Sequence, residues 1–287
     1  MIIPTIGIIV NTKKDKAVDL AGDMIDFLQQ KSADYLVEEA CGEILDCESR
    51  AASVETMKKK VDYLTIFGGD GTMLRAVGKF CGTDIPMLGI NVGSLGFMTV
   101  IEAESLREAA GDLLQGDFSL EERMMLNTRV FRQGEKIYDT HGLNDAVISR
   151  GGNQKVIGME FYIGEEFIAD YQGDGMIAAT PTGSTAYSLS AGGPIVNPEL
   201  DVLLLTPICP HNLYIRPMMI KGNEQVKIRT HVDRGQVKIS TDGKKEYDLQ
   251  DGDEIIINKS KHSVKMVKFP ERNFYRILRE KLKLGLF

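Results

Sequence analysis

The feature that most restricts the fold is an apolar run, Tyr63-Leu64-Thr65-Ile66-Phe67, that stops abruptly at Gly68-Gly69-Asp70-Gly71-Thr72. A short run rich in aromatic and branched side chains, without polar alternation, reads as a strand buried on both faces, the kind found in parallel sheets covered by helices. From Thr72 to Phe80 the spacing predicts a helix. A strand, a glycine turn and a helix in that order put the glycines at the carboxyl edge of the sheet, where α/β folds bind their ligands. Glycines there admit unusual backbone angles and bring amide N–H groups close to phosphate oxygens, and the helix start adds partial positive charge. A carboxylate would be wrong for anion binding alone. Asp70 fits such a turn if it accepts the proton of an attacking hydroxyl or helps hold a metal ion, which are requirements of phosphoryl transfer. The plainer reading, an Asp cap on a strand-to-helix turn, competes with it.

The flanking sequence follows the same alternation of strand and helix. Ile6 to Val10 reads as a first strand, and Ala17, Leu20, Ala21, Met24 and Leu28 then recur on one helical face. Tyr35 to Val37 and Met87 to Val92 read as further strands, and Ser105 to Leu114 as another helix. These elements predict an α/β domain with a parallel, Rossmann-like sheet over residues 1–124. From about Leu126 the pattern changes to short alternating runs. Phe161-Tyr162-Ile163 and Phe167-Ile168-Ala169 flank Gly164-Glu165-Glu166 as a hairpin would, and similar runs recur at Gln225 to Arg229, Gln236 to Ser240, Glu254 to Ile257 and Val264 to Val267. Residues 125–269 are therefore predicted to be mostly antiparallel β. The tail, 270–287, returns to helical spacing from Asn273 to Lys283, with Phe274, Ile277, Leu278 and Leu282 on one side, and is predicted to pack on the first domain.

Composition removes several classes of function. A net charge of −7 and a pI near 5.3 leave no basic stripe for a nucleic-acid backbone. No stretch approaches the ~20 apolar residues of a membrane span. Cys41, Cys47, Cys81 and Cys209 form no Cys-x-x-Cys pair and read as reduced thiols, so a cytoplasmic location is expected. The four histidines are scattered, and no residue is assigned as a metal ligand. A Gly-x-x-x-x-Gly-Lys-Ser/Thr loop is absent. Gly173-Asp174-Gly175-Met176-Ile177-Ala178 fits Gly-x-Gly-x-x-Ala, but it lies in the β-rich half and leads into Thr-Pro-Thr-Gly-Ser, so it is a chance match to the dinucleotide fingerprint.

Three further segments concentrate amides, hydroxyls and flexible backbone: Asn91-Val92-Gly93-Ser94-Leu95-Gly96-Phe97, Gly142-Leu143-Asn144-Asp145-Ala146-Val147, and the long block from Gly173 through Thr180-Pro181-Thr182-Gly183-Ser184-Thr185-Ala186-Tyr187-Ser188-Leu189-Ser190 to Gly192-Gly193-Pro194. Each has a plain explanation alone: a turn at Asn91, a solvated strand end at Asn144-Asp145, a capped loop before a short helix in the block. Together they offer what reading a ribose and a purine requires. With the Gly-Gly-Asp-Gly-Thr turn they occur in the order and at the spacing of the NAD kinase family, which the chain closely resembles from about Tyr63 to its end.

The resemblance implies an α/β domain followed by a β-sandwich domain, a terminal segment that returns to the first domain, and NAD lying between the two. It implies that Asp70 is the base for the 2′-hydroxyl of the adenosine ribose. Asn144 and Asp145 would contact that ribose, with Gly71 and Phe97 near the NAD pocket. Thr185 and Ala186 would line the adenine site, and Asp174, Tyr187 and Ser190 would hold the rest of the dinucleotide, partly across a subunit interface. Gly68, Gly69, Gly71 and Thr72 would cradle the donor phosphates. The donor would be ATP with Mg2+ or another divalent cation, or inorganic polyphosphate, and the protein a homo-oligomer, dimer or tetramer. One position departs from the family: Asn144-Asp145 stands where Asn-Glu is usual, and Asp is one methylene shorter. The turn is also shared with diacylglycerol-type lipid kinases and, more loosely, with sugar-phosphate kinases. In the lipid enzymes an Asn-Glu step follows the Thr almost at once, whereas Met73-Leu74-Arg75 follows here. A sugar-phosphate kinase has no need of the Thr185 to Ser190 block. A non-catalytic dinucleotide sensor is the alternative from another class, and Asp70 in an intact turn argues against it.

Overall fold

The computed structural model describes residues 3–152, 156–212, 214–231, 236–270 and 273–282. Met1, Ile2 and Lys283 therefore lie outside the described residues. The chain forms two compact units, one of residues 1–122 and 264–287, the other of 123–263.

The first unit contains strands β1 (Ile6–Val10), β2 (Tyr35–Glu38), β3 (Ala51–Ala52), β4 (Tyr63–Gly68), β5 (Met87–Asn91) and β6 (Thr99–Ile101), with helices α1 (Asp15–Gln30), α2 (Val54–Lys60), α3 (Asp70–Phe80) and α4 (Leu106–Gln115). The strands lie in the order β3-β2-β1-β4-β5, with β6 beside β5, and all of these pairs are parallel. The order reverses direction between β1 and β4, so the carboxyl ends of those two strands flank the switch point of the sheet. Every residue of β1 and β5 is buried. Strands covered on both sides cannot alternate polar and apolar, which is why they read as unbroken apolar runs. Ile6, Ile8, Phe67, Leu88 and Ile90 share a core with Ala17, Leu20, Met24, Ile25 and Leu28 of α1 and with Leu106, Ala109 and Leu113 of α4. On the opposite face Gly7 lies so close to Leu64, Met57 and Val61 that a β-carbon there would crowd them. Helix α4 ends at Gly116, whose φ of 77° is a left-handed cap that only glycine adopts cheaply.

The second unit is built from β7 (Ser119–Arg132), β8 (Glu135–Gly142), β9 (Asp145–Gly151), β10 (Ile157–Ile163), β11 (Glu166–Gly173), β12 (Gly175–Ala179), β13 (Val202–Ile208), β14 (Met218–Lys221), β15 (Val226–His231), β16 (Gln236–Thr241), β17 (Tyr247–Leu249) and β18 (Glu254–Lys268), with the one-turn helix α5 (Tyr187–Ser190). One sheet runs β14-β13-β12-β9-β16-β17, antiparallel throughout. The β10–β11 hairpin and β15 belong to the other, beside the first residues of β18. Ile148, Met176, Leu203 and Ile239 of the one sheet pack with Met159, Phe161, Ile228 and Ile255 of the other, which makes the unit a β-sandwich.

The predicted hairpin is present. The two strands expected at Glu254 to Ile257 and Val264 to Val267 are instead one strand, β18, which leaves the second unit and pairs with β5 at Met266–Met87. The stretch between them, Asn258 to Ser263, is polar in sequence, yet the strand runs through it, with Lys259 and Lys261 exposed and Ser260 between them buried. Helix α3 begins at Asp70 rather than Thr72, with Gly69 as its extended N-cap residue. The C-terminal helix, α6 (Phe274–Leu282), buries Ile277, and its Phe274 ring lies 6.3 Å from that of Phe97 in the same unit. Ile90 is fully buried in the core shared with α1 and α4. Ile90→Ala is expected to lower stability by about 2–5 kcal/mol, read from the shift of the denaturant midpoint at unchanged slope.

Candidate active site

In the first unit the site forms where β4 ends. Gly68 N–C=O geometry continues the sheet, with Val92 N donating to Gly68 O at 3.2 Å, and α3 then starts immediately. None of Gly68, Gly69 and Gly71 has a positive φ, so the expectation of unusual backbone angles is corrected. What these glycines supply is space. A β-carbon on Gly68 would overlap the Thr72 hydroxyl, which is tucked beneath the turn, whereas Gly69 and Gly71 face nothing within 4 Å. Thr72 is buried and its N–H bonds Gly69 O at 2.8 Å, so Thr72 fastens the turn from below rather than facing the open side. The remaining N–H groups of the first helical turn have no intrahelical acceptor by geometry and point along the axis with the positive end of the helix dipole.

Asp70 does not cap its own helix. Its carboxylate reaches across to the loop after β5 and accepts Phe97 N at 2.9 Å on Oδ2, and Met98 N at 3.1 Å, Thr99 N at 3.2 Å and Thr99 Oγ1 at 3.3 Å on Oδ1. Three contacts fall on Oδ1 and one on Oδ2, so Oδ2 keeps the more accessible lone pair. Gly96 is required for this approach, since a β-carbon there would overlap Asp70 Oδ1. Asn91 makes the expected turn: its side-chain amide donates to Gly93 O and accepts Gly93 N. The Phe97 ring is flanked within the unit by Phe274 and by Lys281 Nζ, 5.0 Å from its centroid. Lys14, at the N-cap of α1 next to the carboxyl end of β1, places its ammonium 3.6 Å from where a Gly93 β-carbon would sit. Lys14 was not singled out from the sequence, although a Lys-Lys pair after the first strand was visible.

In the second unit Asn144 and Asp145 are buried, 8% and 5% exposed, which rules out a solvated strand end. The backbone N–H groups of Leu143, Asn144 and Asp145 all donate to the Asp242 carboxylate, at 2.8, 2.8 and 3.2 Å. Asp242 adopts φ 53° in an Asp-Gly turn after β16. That dipeptide is a turn signal legible in the sequence, but nothing there ties it to residues a hundred positions earlier. Burial first, and then the Asp242 charge, push the Asp145 carboxyl up to about 7, against a hydrogen bond from Tyr187 N–H that favours the anion. Asn144 Oδ1 is buried and has no donor among the described residues. An orphaned acceptor of this kind costs about 1–3 kcal/mol unless a ligand supplies a proton.

The hydroxyl-rich block divides in two. Thr180 Oγ1 donates to Leu143 O at 2.5 Å, Ser184 Oγ ties Val196 at both its N–H and C=O, and Ser188 Oγ meets Thr206 Oγ1 at 2.8 Å, all buried. Gly183 fits against Asn144 O so closely that a β-carbon would overlap it. These staples hold the block on the Asn144-Asp145 corner. Thr185 and Ala186 are partly exposed, and Tyr187, 46% exposed, and Ser190 face outward. Asp174 stands elsewhere. It precedes β12, is held by Arg150 at 2.7 Å, and lies at the opposite end of that strand from Ala179, the residue paired with Asp145. At the rise of a strand, that separation is ~17 Å.

A carboxyl whose folded pKa stands above its unfolded value binds its proton more tightly in the native state. The stability that the protonated Asp145 contributes is therefore present below pH 4 and lost as pH rises through 7. Asp145→Asn, which keeps the shape and removes the charge, is expected to raise the thermal midpoint by a few degrees at pH 8 and leave it nearly unchanged at pH 4, as scanning calorimetry at the two values would register.

Residues 6–118 match the model of the ATP-NAD kinase N-terminal domain, and residues 143–269 that of the ATP-NAD kinase C-terminal domain. The NAD kinase of Natranaerobius thermophilus is 38% identical over 281 residues, covering 98% of each chain. Among solved structures, yeast NADH kinase in complex with NADH superposes with a TM-score of 0.90 at 26% identity, over 99% of this chain and 89% of that one. An Archaeoglobus fulgidus NAD kinase in complex with ATP gives 0.78 at 23% identity, over 98% and 100%, and at that identity speaks for the fold alone. With both domain models matched in order and a relative of this identity covered end to end, the chain belongs to the NAD kinase family.

Proposed function

We propose that this chain transfers the terminal phosphoryl group of a nucleoside triphosphate to the 2′-hydroxyl of the adenosine ribose of NAD, giving NADP. The observation that carries the proposal is the carboxylate of Asp70, diverted from capping its helix and oriented by three amides beside an open glycine turn. Mg2+ arrives with the triphosphate as part of the donor substrate. The donor phosphates rest on the amides of Gly69 and Gly71 at the start of α3, with Gly68 and Thr72 setting the shape of that turn. Asp70 Oδ2 accepts the proton of the 2′-hydroxyl, the ribose oxygen bonds to the terminal phosphorus, and the bond from that phosphorus to the bridging oxygen breaks, releasing the diphosphate. The step is positioning plus charge stabilisation, so an oriented base and a fixed phosphate cradle are what the protein must provide.

In the proposal the ribose is read by Asn144 and Asp145. The unmet Asn144 Oδ1 accepts a hydrogen bond from a ribose hydroxyl, and Asp145, titrating near neutrality, can donate as an acid or accept as a carboxylate. Asp is shorter than the usual Glu, but Asp145 is held in place by Tyr187 N–H. Thr185 and Ala186 line the adenine site, Tyr187 and Ser190 cover the dinucleotide, and Phe97 lies beside it. Asp174, at the other end of β12, serves the dinucleotide held by a neighbouring copy in a homo-oligomer, dimer or tetramer. The enzyme works in the cytoplasm.

Asp70→Asn is expected to leave the NAD dissociation constant within about threefold and to lower kcat by ~10²–10⁴, followed by a coupled assay with NAD, ATP and magnesium. Near-normal turnover would remove Asp70 as the base. Gly96→Ala should lower kcat through the same carboxylate, with kcat falling before KM changes. Tyr187→Ala should weaken NAD binding in calorimetry, and an unchanged constant would take it out of the pocket.

A further inference from the structure

On the outer face of the second unit, β7, β8 and β18 line a groove of about 330 Å³ formed by Asn127, Arg129, Lys136, Asp139, His141, Asn258, Lys259 and Lys261. Leu126, Thr128 and Val130 of β7 point into the sandwich, so Asn127 and Arg129 must point out, and the pairing sets them opposite His141 and Asp139 of β8. Four cationic side chains thus surround one carboxylate, on a chain whose net charge is −7. That carboxylate is already spoken for: Lys136 donates to Asp139 Oδ2 at 2.6 Å and Asn127 to Oδ1 at 2.8 Å. Lys259 is paired at 2.7 Å with Asp201, an exposed residue outside the groove. Among the described residues Arg129 has only a neutral partner, Asn258 Oδ1, at 2.9 Å, and its buried Nε has no acceptor. Lys261 is exposed and forms none of the ion pairs found among the described residues.

A buried guanidinium nitrogen without an acceptor is costly. Placed in a concave site beside Lys261, which forms no ion pair found among the described residues, it marks a place where an anion is wanted rather than a solvated basic surface. We propose that this groove is a binding site for the phosphate or pyrophosphate group of a small soluble metabolite, separate from the substrate-binding residues proposed above. Arg129 and Lys261 supply the charge and a fork of donors that fits phosphate oxygens. His141 forms one wall, its Nδ1 against Ser260 Oγ at 2.9 Å and its ring edge-on to His262 at 5.0 Å between centroids. Burial, and then His262, hold the His141 imidazole below its ordinary range, so it remains neutral and the groove's charge resides on the arginine and lysines. The volume admits a diphosphate with part of an organic body and is too small to enclose a whole dinucleotide.

The two wall histidines make the site observable. The chain has four histidines, so imidazole signals in a proton–carbon correlation spectrum can be assigned with His141→Gln and His262→Gln. Pyrophosphate added to the full chain at constant ionic strength should shift the His141 and His262 signals saturably and leave those of His211 and His231 in place. Lys136→Gln/Lys261→Gln, confined to exposed side chains, should weaken that binding at least about tenfold while NADP formation without pyrophosphate stays unchanged. Arg129→Gln should abolish it. The proposal fails if neither ring responds at millimolar pyrophosphate, if chloride at equal ionic strength reproduces the shifts, or if the lysine variant titrates like the parent. Capture of the chain by phosphatidate vesicles through the same lysines, with no response to pyrophosphate, would overturn the assignment to a soluble ligand.

Discussion

A carboxylate gathering three consecutive backbone amides fixes the loop that carries the candidate site residues in each unit. Asp70 collects the N–H groups of Phe97, Met98 and Thr99, and Asp242 those of Leu143, Asn144 and Asp145. Each amide run lies where a strand begins or ends and ladder partners give out, so its N–H groups need other acceptors. Charge-assisted bonds of this type contribute about 1.5–3 kcal/mol each, enough to give an otherwise irregular loop one conformation. The clamp also fixes the acid itself. Asp70 is held from the far side by the loop it orders, so its position is set by β5 and β6 as much as by its own helix.

The glycines of the motifs follow from the same clamps. At Gly68, Gly96 and Gly183 the backbone approaches a side chain or carbonyl so closely that any β-carbon would overlap it, and none of the three needs a left-handed angle. A glycine kept for conformational freedom can be exchanged for Asn or Asp with modest loss. A glycine kept for contact has no substitute, because alanine already displaces the partner. The partner here is Asp70 Oδ1 in one unit and Asn144 O in the other, so the glycine pattern and the carboxylate positions form one constraint seen from two sides.

This explains which parts of the molecule were legible in the sequence. Ile6–Val10, Tyr63–Gly68 and Met87–Asn91 were readable because strands buried on both faces must be apolar throughout, and the α1 stripe because one face meets the sheet. Glu254–Lys268 reads as two strands because the six residues in its middle, Asn258 to Ser263, are all polar, and hydropathy does not record pairing. The candidate site residues were picked out through motif order. Their supports were not: Asp242 lies 97 positions from Asp145, and Lys14 sits near Gly93 only because β1 and β5 flank β4. Hydroxyl content also misled in part, since Thr180, Ser184 and Ser188 turn inward as staples and Thr185 donates to Thr182 O, while Tyr187 and Ser190 are exposed.

The exchange of the family's usual Glu for Asp145 gains a physical meaning from these contacts. A carboxyl on a shorter arm stays closer to its own backbone, and here that backbone is drawn toward Asp242, whose charge three amides stabilise. Asp145, more than nine-tenths buried beside Asp242, holds its proton up to about 7, chiefly because of that burial. A longer side chain would carry its carboxyl farther from the clamp and relax that repulsion. Near neutral pH both forms of Asp145 are populated, so a hydroxyl-bearing ligand can be met by a donor or by an acceptor at the same atom. The neighbouring Asn144 Oδ1 offers only an acceptor, and the two groups together match the paired donor and acceptor character of adjacent sugar hydroxyls.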